Sequence, residues 1–319
     1  MSGNGKQQAW EFRDEACKVC GGRDFRVLGS RGGEAHRDGA GTKTRIVKCR
    51  GCKLIFPNPM PYPAGEDTRY SNVSGYFEDV MTVTDESQRQ LGDKLARDAE
   101  QMFGGRVPKG GRFLDVGCGR GEVVAAAQAR GWDAEGCDLS EDFVRYARET
   151  NGVRAHASTL EGMKYPDASF DVVTLVEVIE HLYDPAETVR ELRRVVRPGG
   201  LVYISTPNEE SVYQTMGNFY YKARGLDWVV NLCPTWNLYH IHGFSPRSLR
   251  YVLEANDFQI ENLVVYPGDF VVPPRGGVWG GVERVGAGVI AHIANALGRS
   301  PYMYAWARAS NVEYESNRK

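Results

Sequence analysis

The chain has 319 residues, of which 39 are Lys or Arg and 41 are Asp or Glu, so its formal net charge is −2. Hydrophobic residues make up 42% and charged residues 25%, which is ordinary for a globular protein and excludes a disordered chain, a collagen and a coiled coil. No apolar run approaches the roughly 20 residues that a membrane helix needs, and the N-terminal segment lacks the apolar core of a signal peptide. We therefore expect a cytoplasmic protein with one large core and a small appendage, or with two domains.

The charge is unevenly distributed along the chain. Residues 1–60 contain twelve Lys or Arg and six Asp or Glu, so this part carries +6 whereas the remainder carries −8. A basic module can bind a nucleic acid or an acidic ligand. Here the basic residues are interspersed with acidic ones and few aromatic residues accompany them, so we favour an ordinary solvated surface and expect no nucleic-acid partner.

Four of the seven cysteines form two C-x2-C pairs, 28 residues apart: Cys17 with Cys20, and Cys49 with Cys52. Two such pairs are typical of a tetrahedral zinc site with four thiolate ligands. A closed site of this kind supplies folding energy rather than chemistry, so we predict a zinc ribbon over residues 1–62. The alternatives are free thiols in a degenerate ribbon and a redox pair, and the second is weaker because no βαβ pattern surrounds either pair.

The rest of the chain predicts an α/β fold. The prolines of 57–63 predict a stiff linker, and residues 63–108 are interpreted as a linker followed by an amphipathic helix over 85–103. From there strands alternate with helices, which is typical of a parallel, doubly wound sheet. Strands are predicted at 112–117, 133–140, 153–158, 170–178 and 201–207, and two antiparallel edge strands at 261–267 and 301–309.

We divide this part into a cofactor-binding core at 109–208, a lid and acceptor-binding insertion with its following helix at 209–262, and the last strands at 263–319. The aromatic residues of 210–236 suit a hydrophobic or sugar-bearing ligand, or they pack the lid on itself. An amphipathic helix is predicted within 281–298, where it could pack on the sheet, form a dimer seam or rest on a membrane. Its apolar face consists of Val285, Val289, Ile290, Ile293 and Leu297.

A glycine-rich turn joins the strand at 112–117 to the next helix, which is where doubly wound sheets bind ligands. Glycine lets the backbone approach a cofactor closely. A dinucleotide fingerprint would need glycine at position 122, where Glu122 would repel a pyrophosphate, so NAD is not expected. Asp138 ends the following strand, where a carboxylate can accept hydrogen bonds from both hydroxyls of a ribose. The turn residues predicted to bind the cofactor are Asp115, Gly117, Cys118, Gly119 and Gly121.

The sequences LDVGCGRG, CDLS, FDVVTLVEVIEHL and VRPGGLVYISTPN together resemble the successive motifs of class I S-adenosylmethionine-dependent methyltransferases, over about residues 86–309. The resemblance implies a Rossmann-like, seven-stranded sheet and S-adenosylmethionine as cofactor. It also implies that Asp115, Gly117 and Gly119 line the methionine end and that Asp138 holds the ribose. The other implied contacts are Leu139, Ser158, Thr159 and Leu160 around the adenine, and Val176 and Glu177 beneath the sulfonium.

The ribbon followed by LIFPNPMP resembles the N-terminal zinc module of bacterial methyltransferases that act on sugars and secondary metabolites. This resemblance implies a small-molecule acceptor, and we expect a hydroxyl of a sugar, glycan or natural-product intermediate. Sugar C-methylation is an alternative, although the chain is short for the further C-terminal domain of such enzymes.

Methyl transfer to a protonated acceptor needs a base. Tyr239, His240 and His242 form a Tyr-His-x-His pattern that resembles the Tyr-His-Glu-His of zinc-containing sugar C-methyltransferases, with Ile241 in place of the Glu. The resemblance makes His242 the predicted base, assisted by Tyr239, with His240 and His181 as further candidates. The same histidines could instead brace the loop against the sheet.

A catalytic divalent cation is a second interpretation. Glu177, Glu180 and His181 form E-x-x-E-H, which together with His240 or His242 resembles the metal site of small-RNA 2′-O-methyltransferases. The motif alone also occurs in ubiquinone-type O-methyltransferases, and Glu-His after this strand occurs in metal-free methyltransferases as well. A bound cation would polarise a hydroxyl acceptor. Two further alternatives are an RNA methyltransferase that captures its substrate with the basic ribbon, and a non-catalytic binding module that kept the cofactor fold.

Overall fold

The structure is a computed structural model that describes residues 8–36, 39–65, 85–235, 239–267 and 288–311. Residues 66–84 of the predicted linker, Trp236 of the lid and Val285 of the C-terminal helix lie outside the described residues. The helices are α1 Asp85–Met102, α2 Glu122–Ala129, α3 Glu141–Glu149, α4 Leu160–Met163, α5 Pro185–Val195, α6 Val212–Ala223 and α7 Pro246–Glu254. The strands are β1 Trp10–Arg13, β2 Phe25–Arg31, β3 Thr44–Cys49, β4 Ile55–Pro57, β5 Met60–Pro63, β6 Arg112–Val116, β7 Asp133–Asp138, β8 Arg154–Ala157, β9 Phe170–Val176, β10 Val196–Pro207, β11 Phe258–Tyr266 and β12 Tyr302–Ala309.

The predicted seven-stranded sheet is confirmed, in the order β11-β12-β10-β9-β6-β7-β8. Strands β6 to β10 pair in parallel, whereas β12 is antiparallel to both β10 and β11. Strand β9 is a nearly continuous apolar run because helices cover both faces of a parallel sheet, and its residues Val172, Val173 and Leu175 are fully buried. The carboxyl ends of β6, β7 and β9 therefore meet at one edge, where a ligand site is expected.

Local signals explain where the helices begin. Ser140 caps α3 by accepting a hydrogen bond from the Phe143 N–H. Helix α5 begins with Pro185 after the cap Asp184, and it buries Val189 and Leu192 against the sheet. Strand β10 is longer than predicted because its first residues follow α5 directly and the irregular stretch before Leu201 continues the strand.

The N-terminal module contains a three-stranded antiparallel sheet, β2-β3-β4, and a two-stranded sheet in which β5 pairs with β1. The prolines predicted to form a linker over 57–63 therefore belong to this module, at the end of β4 and in β5. Proline is tolerated here because the outer side of an edge strand needs no N–H donor.

The ribbon and the large sheet share one core. Leu54, Phe56 and Met60 lie in the same buried apolar cluster as Ile241 and Phe244, which follow the lid. Two backbone hydrogen bonds join β4 to the loop that contains Ile241: the Ile55 N–H donates to the Gly243 oxygen (2.9 Å), and the Gly243 N–H donates to the Ile55 oxygen (2.7 Å). The ribbon is thus docked beside the segment that was predicted to bind the acceptor.

The C-terminal helix is described over 288–296. Three members of its predicted apolar face, Val289, Ile293 and Leu297, are exposed, whereas Ala294 is buried. The described part of this face therefore does not pack on the sheet. Among the helices that the structure describes, none combines the length and the apolar character that crossing a membrane requires.

Candidate functional site

The glycine turn between β6 and α2 has the conformation that its sequence predicts. Gly117, Gly119 and Gly121 all have positive φ angles, of 73°, 51° and 82°. A Cβ atom on Gly117 would lie 2.4 Å from a methyl carbon of Val178, whereas a Cβ on Gly119 would meet only open space within 4 Å. Glycine at 117 therefore allows the turn to approach the segment after β9, and glycine at 119 leaves room beside the turn for a ligand.

Asp138 stands at the end of β7 with its carboxylate fixed by the backbone. Its Oδ2 accepts from the Gly119 N–H (2.9 Å) and its Oδ1 accepts from the Ser140 N–H (2.8 Å). Burial raises the pKa of Asp138, and these two hydrogen bonds oppose the rise. The next side chain, Leu139, is 60% exposed although it is apolar. A carboxylate with spare lone pairs beside an open apolar side chain suits a ribose and its base.

Other predicted cofactor residues lie deeper. Asp115 is buried and accepts a hydrogen bond from the Thr174 hydroxyl (2.6 Å), and burial raises its pKa to about 7. Burial also raises the pKa of the Cys118 thiol, so this cysteine stays protonated. Thr159 is exposed and caps α4, but Leu160 is buried in the core and offers almost no surface to a ligand.

The predicted acceptor end begins where β9 stops, at Val176. Glu177 has a φ of 54°, and its N–H donates to the Ser205 oxygen (3.1 Å). Burial raises the pKa of the Glu177 carboxyl to about 7. Glu180 is buried and accepts from the Thr206 hydroxyl (2.9 Å), while its other oxygen has no hydrogen-bond partner among the described residues. Burial and the nearby Glu177 hold the pKa of Glu180 well above its usual range.

His181 and His240 complete a compact group with Glu180. One ligand-capable atom of each of the three residues lies within 4.8 Å of the others. The two imidazole rings meet edge to face with their centroids 4.9 Å apart. Burial and the neighbouring His181 hold the pKa of His240 well below its usual range, so its imidazole is neutral. A carboxyl group and two imidazoles form a donor set that fits a divalent transition-metal ion.

His242 lies apart from this group, although the sequence favoured it as the base. It is 1% exposed, and its Nδ1 lies 2.8 Å from the Leu182 oxygen, which requires that Nδ1 carries the proton it donates. Its ring centroid is 6.2 Å from that of Phe56 in the ribbon. Burial lowers the pKa of His242 to about 4. Tyr239 likewise faces the ribbon, with its ring 6.3 Å from that of Trp10.

The four cysteines of the ribbon converge as their spacing predicts. The sulfur atoms of Cys17 and Cys52 are 3.4 Å apart, those of Cys20 and Cys49 are 3.5 Å apart, and all four lie within 4.8 Å of one another. Four sulfurs at about 2.3 Å from one zinc ion would be roughly 3.8 Å apart. The residues therefore fit a closed tetrathiolate site, which would serve to stabilise the ribbon.

Two features of the acceptor end were not found from the sequence. Glu209 is buried, accepts a hydrogen bond from Asn231 (2.7 Å) and has a pKa that burial raises to about 7. This pair ties the lid to the end of β10, and no sequence pattern links its members. Thr206, the hydroxyl partner of Glu180, could have been suspected from its place at the end of a predicted strand.

Within the lid, Tyr221 packs on Trp228 (5.5 Å between ring centroids), whereas Phe219 is 72% exposed.

The chain is similar to a methyltransferase family and to individual methyltransferases. The family described as "Methyltransferase domain" matches residues 86–263. A curated ubiquinone biosynthesis O-methyltransferase of Aromatoleum aromaticum is 33% identical over 153 residues, which is 46% of this chain and 63% of that protein. A 27-O-demethylrifamycin SV methyltransferase of Amycolatopsis mediterranei is 35% identical over 137 residues, 40% of this chain and 47% of that protein. The chain thus spans less than two thirds of each of these relatives.

Among solved structures, a SAM dependent methyltransferase from Archaeoglobus fulgidus aligns with a TM-score of 0.47 at 22% identity, covering 69% of this chain and 94% of that chain.

Proposed function

Because the chain belongs to the methyltransferase domain family, we propose that it transfers a methyl group from S-adenosylmethionine to a hydroxyl of a small-molecule acceptor. The acceptor class that we propose is a sugar, glycan or natural-product intermediate. The observation that carries this proposal is the group of Glu180, His181 and His240. Glu180 and His181 follow Val178 by two and three residues. The contact between Gly117 and Val178 brings the glycine turn against the same segment.

The names of both curated relatives support oxygen as the methylated atom, since one is called an O-methyltransferase and the other a 27-O-demethylrifamycin SV methyltransferase. The exposed Phe219 and the partly buried aromatic residues of the lid support an acceptor with apolar or sugar surfaces.

S-adenosylmethionine supplies an electrophilic methyl group on a sulfonium, which leaves as a thioether. The glycine turn and Asp138 would hold the cofactor, and a fixed cofactor would lower the entropic cost of bringing its methyl group to the acceptor. The acceptor O–H must give up its proton as the new O–CH₃ bond forms, and a neutral imidazole nitrogen of His240 can take that proton. With its lowered pKa, His240 alone is a weak base.

The convergence of Glu180, His181 and His240 within 4.8 Å of one another supports the second interpretation of the sequence, in which a divalent cation assists. Glu180, His181 and His240 would hold the ion, which would supply Lewis-acid polarisation of the acceptor hydroxyl. The Glu180 oxygen that has no hydrogen bond among the described residues lies 3.9 Å from Nε2 of His181, which supports such a ligand role. We propose His242 as a residue that positions this group, and not as the base.

The test is an assay for S-adenosylhomocysteine with the full chain and a panel of phenols, catechols and sugars. With the best acceptor, the rate of the His240→Ala variant should be lower than that of the wild type by a factor of roughly 10²–10⁴. His292→Ala is the matched control, since His292 is exposed in the helix at 288–296. Equal rates in the two variants would contradict the role of His240. Activity that a chelator abolishes and Mn²⁺ restores would identify the assisted mechanism.

A further inference from the structure

The zinc ribbon touches the acceptor side of the site through β4. Besides the two backbone hydrogen bonds between Ile55 and Gly243, the Phe56 ring packs on His242. Ile55 and Phe56 follow Cys52 by three and four residues, and the Cys49 N–H donates to the Leu54 oxygen (2.8 Å). The turn that carries Cys49 and Cys52 is therefore continuous with the strand that holds the loop of His240.

The loop in turn holds the segment of Glu180 and His181. The backbone N–H groups of Ile241 and His242 both donate to the backbone carbonyl oxygen of Glu180, at 3.0 and 2.9 Å. The His242 side chain adds its hydrogen bond to the Leu182 oxygen. Three hydrogen bonds thus fix the distance between the loop and the segment after β9, and the ribbon forms the outer wall of this arrangement.

The ribbon also holds the lid, through β2 and the chain that follows it. The Ser30 N–H donates to the Asp227 oxygen (2.7 Å), and the Val229 N–H donates to the Ser30 oxygen (3.0 Å). A Cβ atom on Gly29 would lie 2.1 Å from the Asp227 oxygen, so only glycine allows this approach. Further along, Thr42 and Thr235 exchange two hydrogen bonds, at 2.8 and 3.0 Å.

The hydrogen bonds that fix the cofactor half involve no ribbon residue. The N–H groups of Gly117 and Cys118 donate to the Cys137 oxygen, and the Asp138 carboxylate is fixed by Gly119 and Ser140. All of these residues lie on β6, β7 and the turns that follow them. The two halves of the site therefore depend on different parts of the chain.

We propose that the ribbon is the positioning element of the acceptor half, so that zinc binding orders the lid and the 239–244 loop while leaving the S-adenosylmethionine half unchanged. Ile55, Phe56 and His242 are the positioning residues through which this effect passes to His240 and Glu180. The term "acceptor half" rests on the function proposed above, but the coupling itself concerns only residues of this chain.

The test is hydrogen exchange of the full chain, followed by mass spectrometry, with zinc bound and after removal of zinc by a chelator. Exchange of the Val229 and Gly243 amides, in peptides covering 226–235 and 239–244, should become faster by at least roughly tenfold, because these two N–H groups donate to Ser30 and Ile55 of the ribbon. Peptides covering β6 and β7 should keep their rates, and affinity for S-adenosylmethionine, measured by calorimetry, should stay within about twofold.

Two variants locate the effect within the ribbon. Phe56→Leu removes the ring that packs on His242, whereas Phe25→Leu removes a ring that packs edge to face on Phe56 (5.2 Å) from the same module. Phe56→Leu should accelerate exchange in 239–244 with zinc still bound, and Phe25→Leu should not. Unchanged exchange of the loop and lid after zinc removal would overturn the proposal, as would equal effects of the two variants. A protein that never transfers a methyl group would refute the proposed function and leave this result standing.

Discussion

The rings of His181 and His240 meet edge to face at 4.9 Å, inclined by 73°, although one follows β9 and the other follows the lid. Because Glu180 lies within ligand distance of both, the three residues form a donor set from two separate parts of the chain. In the function proposed above, chemistry at the acceptor oxygen therefore requires the two parts of the chain to be in place together.

A divalent cation should bind at this group. We expect Mn²⁺ to bind the wild type and Glu180→Gln to weaken this binding by at least roughly tenfold. Mutating a residue that only hydrogen-bonds to a metal ligand already costs about that much affinity, and losing the ligand itself should cost no less. Glu187→Gln, on the exposed side of α5, is the matched control. The paramagnetic resonance signal of free Mn²⁺ measures the affinity. Wild type that leaves all Mn²⁺ free would favour direct proton transfer to His240.

Cofactor binding should depend on Asp138. Asp138→Ala should weaken S-adenosylmethionine binding by about 1–3 kcal/mol, because the ribose hydroxyls lose a fixed acceptor. Asp133→Ala removes a carboxylate from the opposite end of the same strand, where it pairs with Arg154, and should bind normally. Calorimetry on the three proteins makes the comparison, and an unaffected Asp138→Ala would place the ribose elsewhere.

The ribbon should contain one zinc ion per chain, because the four sulfurs already lie close to tetrahedral spacing. Elemental analysis of protein purified without chelators should find it, and Cys49→Ser should lower the zinc content and the thermal stability together. Cys233→Ser, in the lid, should leave the zinc content unchanged. Zinc-free wild type with an intact melting temperature would contradict the prediction.

His242 should make stability depend on pH. Its pKa in the folded chain is about 4, below the ordinary value of about 6.5, so the unfolded chain binds more protons between these values. Stability from this residue is therefore present above pH 6.5 and is lost as the pH falls. Desolvation dominates this shift, Lys18 adds to it, and Asp184 opposes it.

Urea unfolding of the wild type and His242→Asn measures this effect. The free energy of unfolding of the wild type, relative to the variant, should fall by about 2 kcal/mol between pH 7 and pH 4.5. His292→Asn should follow the wild type, since His292 is exposed. Parallel pH profiles of wild type and His242→Asn would mean that water reaches the imidazole.

The conformation of the glycine turn could be predicted from the sequence because its parts are local. Asp115 to Gly121 form one uninterrupted strand, turn and helix start, and each glycine with positive φ is visible as a letter. The order and direction of the strands also followed from their alternation with helices. Zinc ligation and the identity of the acceptor remain predictions.

The acceptor half could not be predicted in the same way. His240 and His242 are two residues apart, and which one faces Glu180 depends on the loop conformation, including the φ of 48° at Tyr239. The loop contacts Ile55 and Phe56, which no local pattern connects to it. The prediction of a linker over 57–63 was wrong for a related reason. Strand β5 pairs with β1, which is distant in the sequence, so no local pattern distinguishes its prolines from those of a linker.

The contact between Ile55 and Gly243 joins a segment that is translated early to one that is translated late. The ribbon is translated before the lid and the loop, and its four cysteines can close around zinc without residues from either. Its partners in the lid and the loop are translated much later. Until they arrive, Ile55 and Phe56 present an uncovered apolar surface to the cell, which is the kind of surface that chaperones bind and that aggregates. Early metallation would keep the nascent strand in its final register, ready for the second half of the chain to fold onto it.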